Sequence, residues 1–433
     1  MNTSPFRIFL ITAALALASC QRTPAPVAGT GDVAPTQAGL HDWPLPMAAG
    51  AAQPDLVATS DGRLLLSWFN SVPGRRTALQ FAEYGRDGRW QGAPRTIAIG
   101  SSFVVNWADT PHIAATDDGA LWVHWLQKSS DMHEAFDVLL SRSRDGGFNW
   151  SPPVLVNTDG KQAEHGFVSL WAQSRDSLGI AWLDGRNREG THEDHGEHGQ
   201  PDTHRGMTSL RSAVFTASLQ RSDESEVDAS ACDCCQTGVA MTTRGPLLVY
   251  RDRTAAEIRD IYTTRRDGER WTTPKPVHAD GWKMPACPVN GPAIAANGNA
   301  VVVGWYTAAD DKPAVKLARS DDAGDSFAAP VTLDQGEAVQ GRVDVALDAA
   351  QAWVLWVRED NIPVGGGGQS LWLARYAPDL SRELSRVEVA KLQGRGKGTG
   401  FPQLALRDGN AYMVWTDIID GAPQLRGAVY TSR

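Results

Sequence analysis

The sequence is short of positive charge: 41 Lys and Arg stand against 50 Asp and Glu in 433 residues. A nucleic-acid binder needs a basic face that displaces counterions from phosphate, so this balance argues against that class. An apolar run near the start, Ile8–Ala18, covers about 11 residues, too few for a bilayer that takes roughly 20 helical ones. Cysteine is scarce, with five in the chain. Its Cys-x-Cys-Cys spacing at 232–235, with the next Cys at 287, is not that of a zinc ribbon.

What is plentiful is Trp, Gly and Pro, at 16, 42 and 25 residues. That mixture predicts many short strands joined by turns. A chain of this length ordinarily holds two or three domains unless an internal repeat joins it into one. Such a repeat is present. A half-apolar run, a polar turn often containing Asp-Gly, and a second apolar run ending in an aromatic recur at Pro54–Phe69, Pro111–Leu126, Phe167–Leu183, Thr237–Arg251, Gly291–Tyr306, Gly341–Val357 and Phe401–Thr416. Each phrase reads as a hairpin, because β-branched and aromatic residues flank a Gly-containing turn. A third run follows, and a fourth often begins with Trp or Phe and then Pro, as at Trp150, Trp271 and Phe327. Four strands in each of seven units predict an all-β propeller of seven four-stranded blades, with six as the alternative. The last unit has three runs before Arg433, so its fourth strand is expected from the segment near Trp43-Pro44-Leu45.

The apolar run ends in Leu17-Ala18-Ser19-Cys20. This resembles the lipobox of bacterial lipoproteins and implies a signal peptide over 1–19, with Cys20 as the lipidated new N-terminus. Gln21 after the Cys favours, by the same resemblance, the outer membrane, on its periplasmic or cell-surface side. Residues 20–40, rich in Pro, Ala, Gly and Thr, read as lipidated Cys and flexible tether, leaving 41–433 as one domain.

Ser143-Arg-Asp145-Gly-Gly147-Phe-Asn-Trp150 and Ser320-Asp-Asp322-Ala-Gly324-Asp-Ser-Phe327 match S-x-D-x-G-x-x-W/F, the Asp-box or BNR repeat. Asp87-Gly88 and Asp267-Gly268 head weaker versions. On these motifs the body resembles the sialidase-like propellers, and the Cys-x-Cys-Cys stretch with the later Cys-Pro-Val-Asn-Gly-Pro resembles a bacterial lipoprotein branch of that superfamily. Sialidases use an Arg triad, a Tyr nucleophile activated by Glu, and an Asp acid. Their first Arg usually lies in Arg-Ile-Pro, whereas this chain has Trp43-Pro44-Leu45-Pro46 at the nearest place. The resemblance implies an exo-sialidase-like glycoside hydrolase if the chain is an enzyme, and it carries carbohydrate chemistry only as a prior.

Strand alternation puts loops entering the first strand of a blade and loops leaving the second at one mouth. That mouth gathers Asp109, His112, His165, Asn290, Asp184, Arg186, Asp252 and Asp417 with the cysteines. Several Arg beside carboxylates and a Tyr suit an anionic glycan or another small anionic ligand. Transferred onto this sequence, the resemblance makes Arg251, Arg259 and Arg342, with Arg186, the candidate substrate-binding cations. Tyr306 with Glu359 becomes the nucleophile pair and Asp109 the acid. The competing reading is that Arg-Asp pairs at strand ends neutralise one another between blades.

Cys232, Cys234, Cys235 and Cys287 enter adjacent repeats and are expected to cluster. Two disulfides, a thiolate site for copper or zinc with Met284 nearby, or a vicinal disulfide all satisfy the spacing. His192, His195, His198 and His204 lie in an acidic loop that reads as solvated or as a loose Zn or Cu binder. The expected molecule is a monomeric, membrane-anchored glycan-directed lipoprotein. A metal-handling or redox role for the cysteines and a non-catalytic interaction scaffold stand as alternatives.

Overall fold

Seven antiparallel sheets follow one another along the chain in a computed structural model that describes residues 39–431 apart from 48, 72–73, 75, 131–134, 189–205 and 360–367, together with Met1. Cys20, the signal segment, nearly all of the tether and the four loop histidines lie outside the described residues. Blade 1 comprises Ala51–Ala58, Leu64–Asn70, Thr77–Tyr84 and Arg95–Gly100. Blade 2 comprises Ile113–Ala115, Leu121–Lys128, Phe136–Ser143 and Val154–Leu155. Blade 3 has His165–Ala172, Leu178–Asp184, Thr208–Phe215 and Arg221–Ala231. Blade 4 has Gly238–Thr242, Gly245–Arg251, Ile261–Asp267 and a divided outer strand, Arg270–Trp271 and Lys275–His278. Blade 5 has Ala293–Asn297, Ala300–Thr307, Ala314–Ser320 and Val331–Gln335. Blade 6 has Val339–Leu347, Ala352–Glu359, Gln369–Tyr376 and Glu383–Leu392. Blade 7 takes Gln403–Arg407, Asn410–Ile419 and Ala422–Thr431 from the end of the chain and Leu40–Asp42 from its start.

The ring is therefore a seven-bladed β-propeller, closed by pairing Leu40, His41 and Asp42 with Tyr430, Val429 and Ala428. The closing strand comes just before Trp43-Pro44-Leu45, because Pro44 carries no N–H to donate to a ladder. Each repeated phrase forms the two inner strands of one blade. Its terminal aromatics, Trp68, Trp125, Trp182, Tyr250, Trp305, Trp356 and Trp415, are all buried. Burial of each such side chain contributes about 1.5–3 kcal/mol.

The core lies in the seams between blades. One cluster joins Val302 and Leu317 of blade 5 to Val343, Val354 and Trp356 of blade 6. Others join blades 6 and 7, 2 and 3, 7 and 1, 3 and 4, and 4 and 5, and two share the seam of blades 1 and 2. A strand packed on both faces needs apolar side chains on both, which explains why second strands such as Leu64–Asn70 are almost wholly buried.

On the face opposite the mouth, the two best turn motifs are built alike. Gly147 N–H and Gly324 N–H each donate to the preceding Ser143 or Ser320 Oγ at 2.8 Å. Asp145 accepts from Asn149 N–H, and Asp322 from Ser326 N–H, both at 2.9 Å. These bonds, in solvent, hold both carboxylic acids down to about 2. An arginine of the preceding blade then grips each turn: Arg95 donates to Gly146 O and Arg265 to Ala323 O. Arg142 to Ala217 O and Arg407 to Gly85 O repeat the stitch at other seams.

Candidate functional site

At the mouth, neighbouring blades are joined around the axis by side chains that accept the next blade's backbone N–H. Asp55 takes Ile113 N–H at 2.8 Å, Asp109 takes Phe167 N–H at 2.8 Å, Gln236 takes Gly291 N–H at 2.9 Å, Asn290 takes Arg342 N–H at 2.8 Å, and Asp344 takes Leu404 N–H at 2.7 Å. Bulges in the inner strands of blades 1, 3 and 6 position this set. Gln53, Phe167 and Arg342 sit there at φ near +50°, and Asp55, Ser169 and Asp344 follow two residues later. Gln236 also donates to Ala108 O at 2.7 Å, drawing the entering loops of blades 4 and 2 together.

Asp109, the expected acid, belongs to this stitching. Burial pushes its carboxyl up to about 7, against the opposing Phe167 N–H, and its Oδ1 has no partner. Burial raises Asp344 in the same way, to about 7. His112 bonds Asp55 at 2.8 Å, and that carboxylate holds its imidazolium above the usual range although burial opposes it. Behind it, His124 is wholly buried with neither ring nitrogen bonded, and burial pushes it well below the usual range.

The four expected anion-binding arginines are turned inward. Arg251 is 2% exposed and donates to Asn290 O, Arg259 O and Tyr306 O at 2.6–3.1 Å, with its face on Trp282. It is a brace between three loops, because carbonyls exposed at strand ends need donors once buried. Arg186 closes on Asp184 at 2.7 Å, Asp159 at 3.3 Å and Glu224 at 3.2 Å, so it neutralises carboxylates within and beside blade 3. His165 lies beneath it, between Phe136 O and Asp159 at 3.0 Å each. Arg259 bonds Glu257 at 2.9 Å and points at Cys232 Sγ at 3.2 Å. Arg342, like Arg251, has no carboxylate partner among the described residues. It donates to Thr399 Oγ1, Gly400 O and Gly396 O, rests on Trp107 and Phe401, and is pushed down by burial to about 10.

Tyr306 and Glu359 do not form the expected nucleophile pair. Glu359 pairs with Arg395, while Tyr306 packs edge-on against Trp282 at 5.7 Å and burial raises its hydroxyl. Tyr306 instead lines a cavity of about 640 Å³ over blade 5, with Trp282, Lys283, Met284, Cys287, Asn290, Asp310, Asp311, Glu337 and Gln340. Asp310, Asp311 and Glu337 were missed by sequence reasoning. The rule that loops leaving a second strand face the mouth would have found the first two, which follow Thr307.

The cysteines do cluster, in a form that mixes the expected alternatives. Cys234 and Cys287 are disulfide-bonded, while Cys232 and Cys235 are buried thiols with Sγ atoms 3.0 Å apart. Two disulfides are thus not formed. The Cys232, Cys234 and Cys235 sulfurs lie within 4.8 Å of one another, as the expected copper or zinc site requires, and in this arrangement Cys234 is bonded to Cys287 and the Arg259 guanidinium faces Cys232. Burial alone would raise Cys232. The hydrogen bond shared with Cys235 and the Arg259 and Arg251 charges outweigh burial and hold it below the usual thiol range, while burial and that neighbouring thiol push Cys235 up.

No family model matches the sequence. No curated protein matches it either. Solved structures do share the fold. The polysaccharide lyase Uly1 is 9% identical over 93% of each chain, with a TM-score of 0.50. The NanB sialidase of Streptococcus pneumoniae is 8% identical over 85% of this chain and 83% of that one, with a TM-score of 0.46. An α-L-arabinofuranosidase of Fusarium graminearum is 13% identical over 88% and 92%, with a TM-score of 0.42. A sialidase and other glycoside hydrolase and lyase propellers are thus among its structural neighbours. At such identities the likeness is one of architecture.

Proposed function

We propose that the mouth of this propeller binds a glycan, seated in the cavity over blade 5. The lining carries the reading: the rings of Tyr306 and Trp282 stand beside the Asn290 amide, the Lys283 ammonium and three carboxylates. Aromatic faces cover the C–H surface of a sugar, and amides and carboxylates take its hydroxyls. Lys283 is the cation that a sugar carboxylate would meet, with Asp310, Asp311 and Glu337 turned to hydroxyls, so the anionic class rests on Lys283. Binding without turnover is the better-supported form, because Glu359 is engaged by Arg395 rather than by Tyr306. The lipobox-like Leu17-Ala18-Ser19-Cys20 supports display of this mouth from an outer membrane on an acylated Cys20.

Calorimetric titration with sialylated and uronate-bearing oligosaccharides, and with neutral ones, tests the ligand class. Acidic oligosaccharides are expected to bind, with affinity reduced about tenfold or more in Tyr306→Ala and in Lys283→Ala. Tighter binding of neutral sugars would remove the anionic assignment. Failure of every glycan would leave a scaffold presenting its loops to a partner. Release of reducing sugar would make the chain an enzyme. Cys20→Ala is expected to abolish metabolic labelling by a fatty acid and to free the protein from the membrane fraction.

A further inference from the structure

The sulfur cluster has a direction. Cys287 is exposed on the cavity wall, whereas Cys232 and Cys235 are buried behind it. Cys232 Sγ lies 4.0 Å from Cys234 Sγ, the inner atom of the disulfide, and 3.0 Å from Cys235 Sγ. The Arg259 guanidinium, 3.2 Å away, favours the thiolate, which is the attacking species in disulfide exchange.

We propose that these four cysteines form a thiol–disulfide relay, in which the buried Cys232/Cys235 dithiol passes its reducing equivalents to Cys287 at the cavity wall and from there to a disulfide-bearing partner. In the first step the Cys232 thiolate attacks Cys234 Sγ. The Cys232–Cys234 bond forms, the Cys234–Cys287 bond breaks, and Cys287 leaves as a thiolate. Cys235 then loses its proton, attacks Cys232 Sγ and expels Cys234 as a thiolate, closing Cys232–Cys235. One disulfide has moved inward and two thiols outward, with no external oxidant. A partner disulfide at the cavity then accepts attack by Cys287. Cys234 resolves the mixed disulfide, Cys234–Cys287 re-forms, and the partner leaves as two thiols. Arg259 is the positioning residue for the first thiolate. Exchange needs no glycan in the cavity, so loss of glycan binding leaves it intact.

The test is time-resolved maleimide labelling of the folded full chain at neutral pH, followed by peptide mapping, with oxidised glutathione as the disulfide probe. Wild type is expected to lose the Cys234–Cys287 cross-linked peptide while label enters the Cys287 peptide. Label on Cys287 is expected to fall by at least about tenfold in Cys232→Ser. Cys235→Ser is expected to halt after the first step, with Cys232–Cys234 bonded and Cys287 labelled. This variant decides the matter should Cys232→Ser fail to fold. With glutathione disulfide, wild type is expected to release glutathione and close both internal disulfides. The relay is overturned if Cys287 stays unlabelled in wild type or if it labels equally in Cys232→Ser.

Discussion

Asp109 shows how one carboxyl can bear load without being read as structural. Its folded value of about 7 lies above the ordinary 3.8, so the fold favours its protonated form. That contribution is fully present below the unfolded value and is lost as pH rises toward 7. Asp344 adds the same dependence. Thermal unfolding is therefore expected to show a melting temperature falling between about pH 4 and pH 7, and Asp109→Asn is expected to flatten that slope. An unchanged slope would mean that Asp109 is solvated in the folded chain. The arginines teach a related lesson. The sequence places Arg186, Arg251, Arg259 and Arg342 at the mouth, and the structure keeps them there. What the sequence does not carry is the direction of a guanidinium. Arg251 turns to three carbonyls and Arg186 to three carboxylates, because groups at buried strand ends need partners before any ligand does. The thiol pair was hidden for the same reason: spacing brings four sulfurs together and leaves open which two bond.

At the scale of the element, the hairpin phrase was legible because it repeats a local rule. Two runs flank a Gly-containing turn, and the closing aromatic is buried in every blade. The turns on the opposite face were legible in identity, and their inter-blade role was not. Gly147 lies at φ +86°, and a Cβ there would come within 2.2 Å of the Phe81 ring of the preceding blade. Gly324 repeats this, at φ +86° and 2.3 Å from Leu247. Each glycine thus serves two ends, a left-handed turn and a close approach between blades. Gly147→Ala and Gly324→Ala are each expected to destabilise the fold by roughly 1–3 kcal/mol, read as a lowered denaturation midpoint with unchanged m-value. By contrast, Gly268 has φ +61° with open space around its Cβ position, so Gly268→Ala carries only the backbone term and is expected to cost less.

At the scale of the whole molecule, ring closure couples the two ends of the described fold. Leu40–Asp42 pairs with the third strand of blade 7, Ala422–Thr431, and Trp43, just beyond it, donates to Gly427 O at 3.0 Å. Trp43 also packs on Tyr84 and Trp90 of blade 1 and on Tyr412 of blade 7, so one segment closes both a sheet and a seam. The count of seven was legible from the repeats, and the need for a donated strand followed from the missing fourth run. The three-residue length of that strand was not legible, since Pro44 ends the ladder from the sequence side while the pairing partner is almost four hundred positions away. Removing residues 39–42 leaves Ala422–Thr431 as an open edge with unpaired N–H and C=O groups, a template for another chain. Such a shortened chain is expected to show faster amide exchange across 422–431 and concentration-dependent association by light scattering, while amides of blades 3 to 5 keep their protection. If exchange instead rises around the whole ring, the seven seams unfold as one unit and closure holds all of them. If nothing changes, the Trp43 seam alone is sufficient to close the propeller.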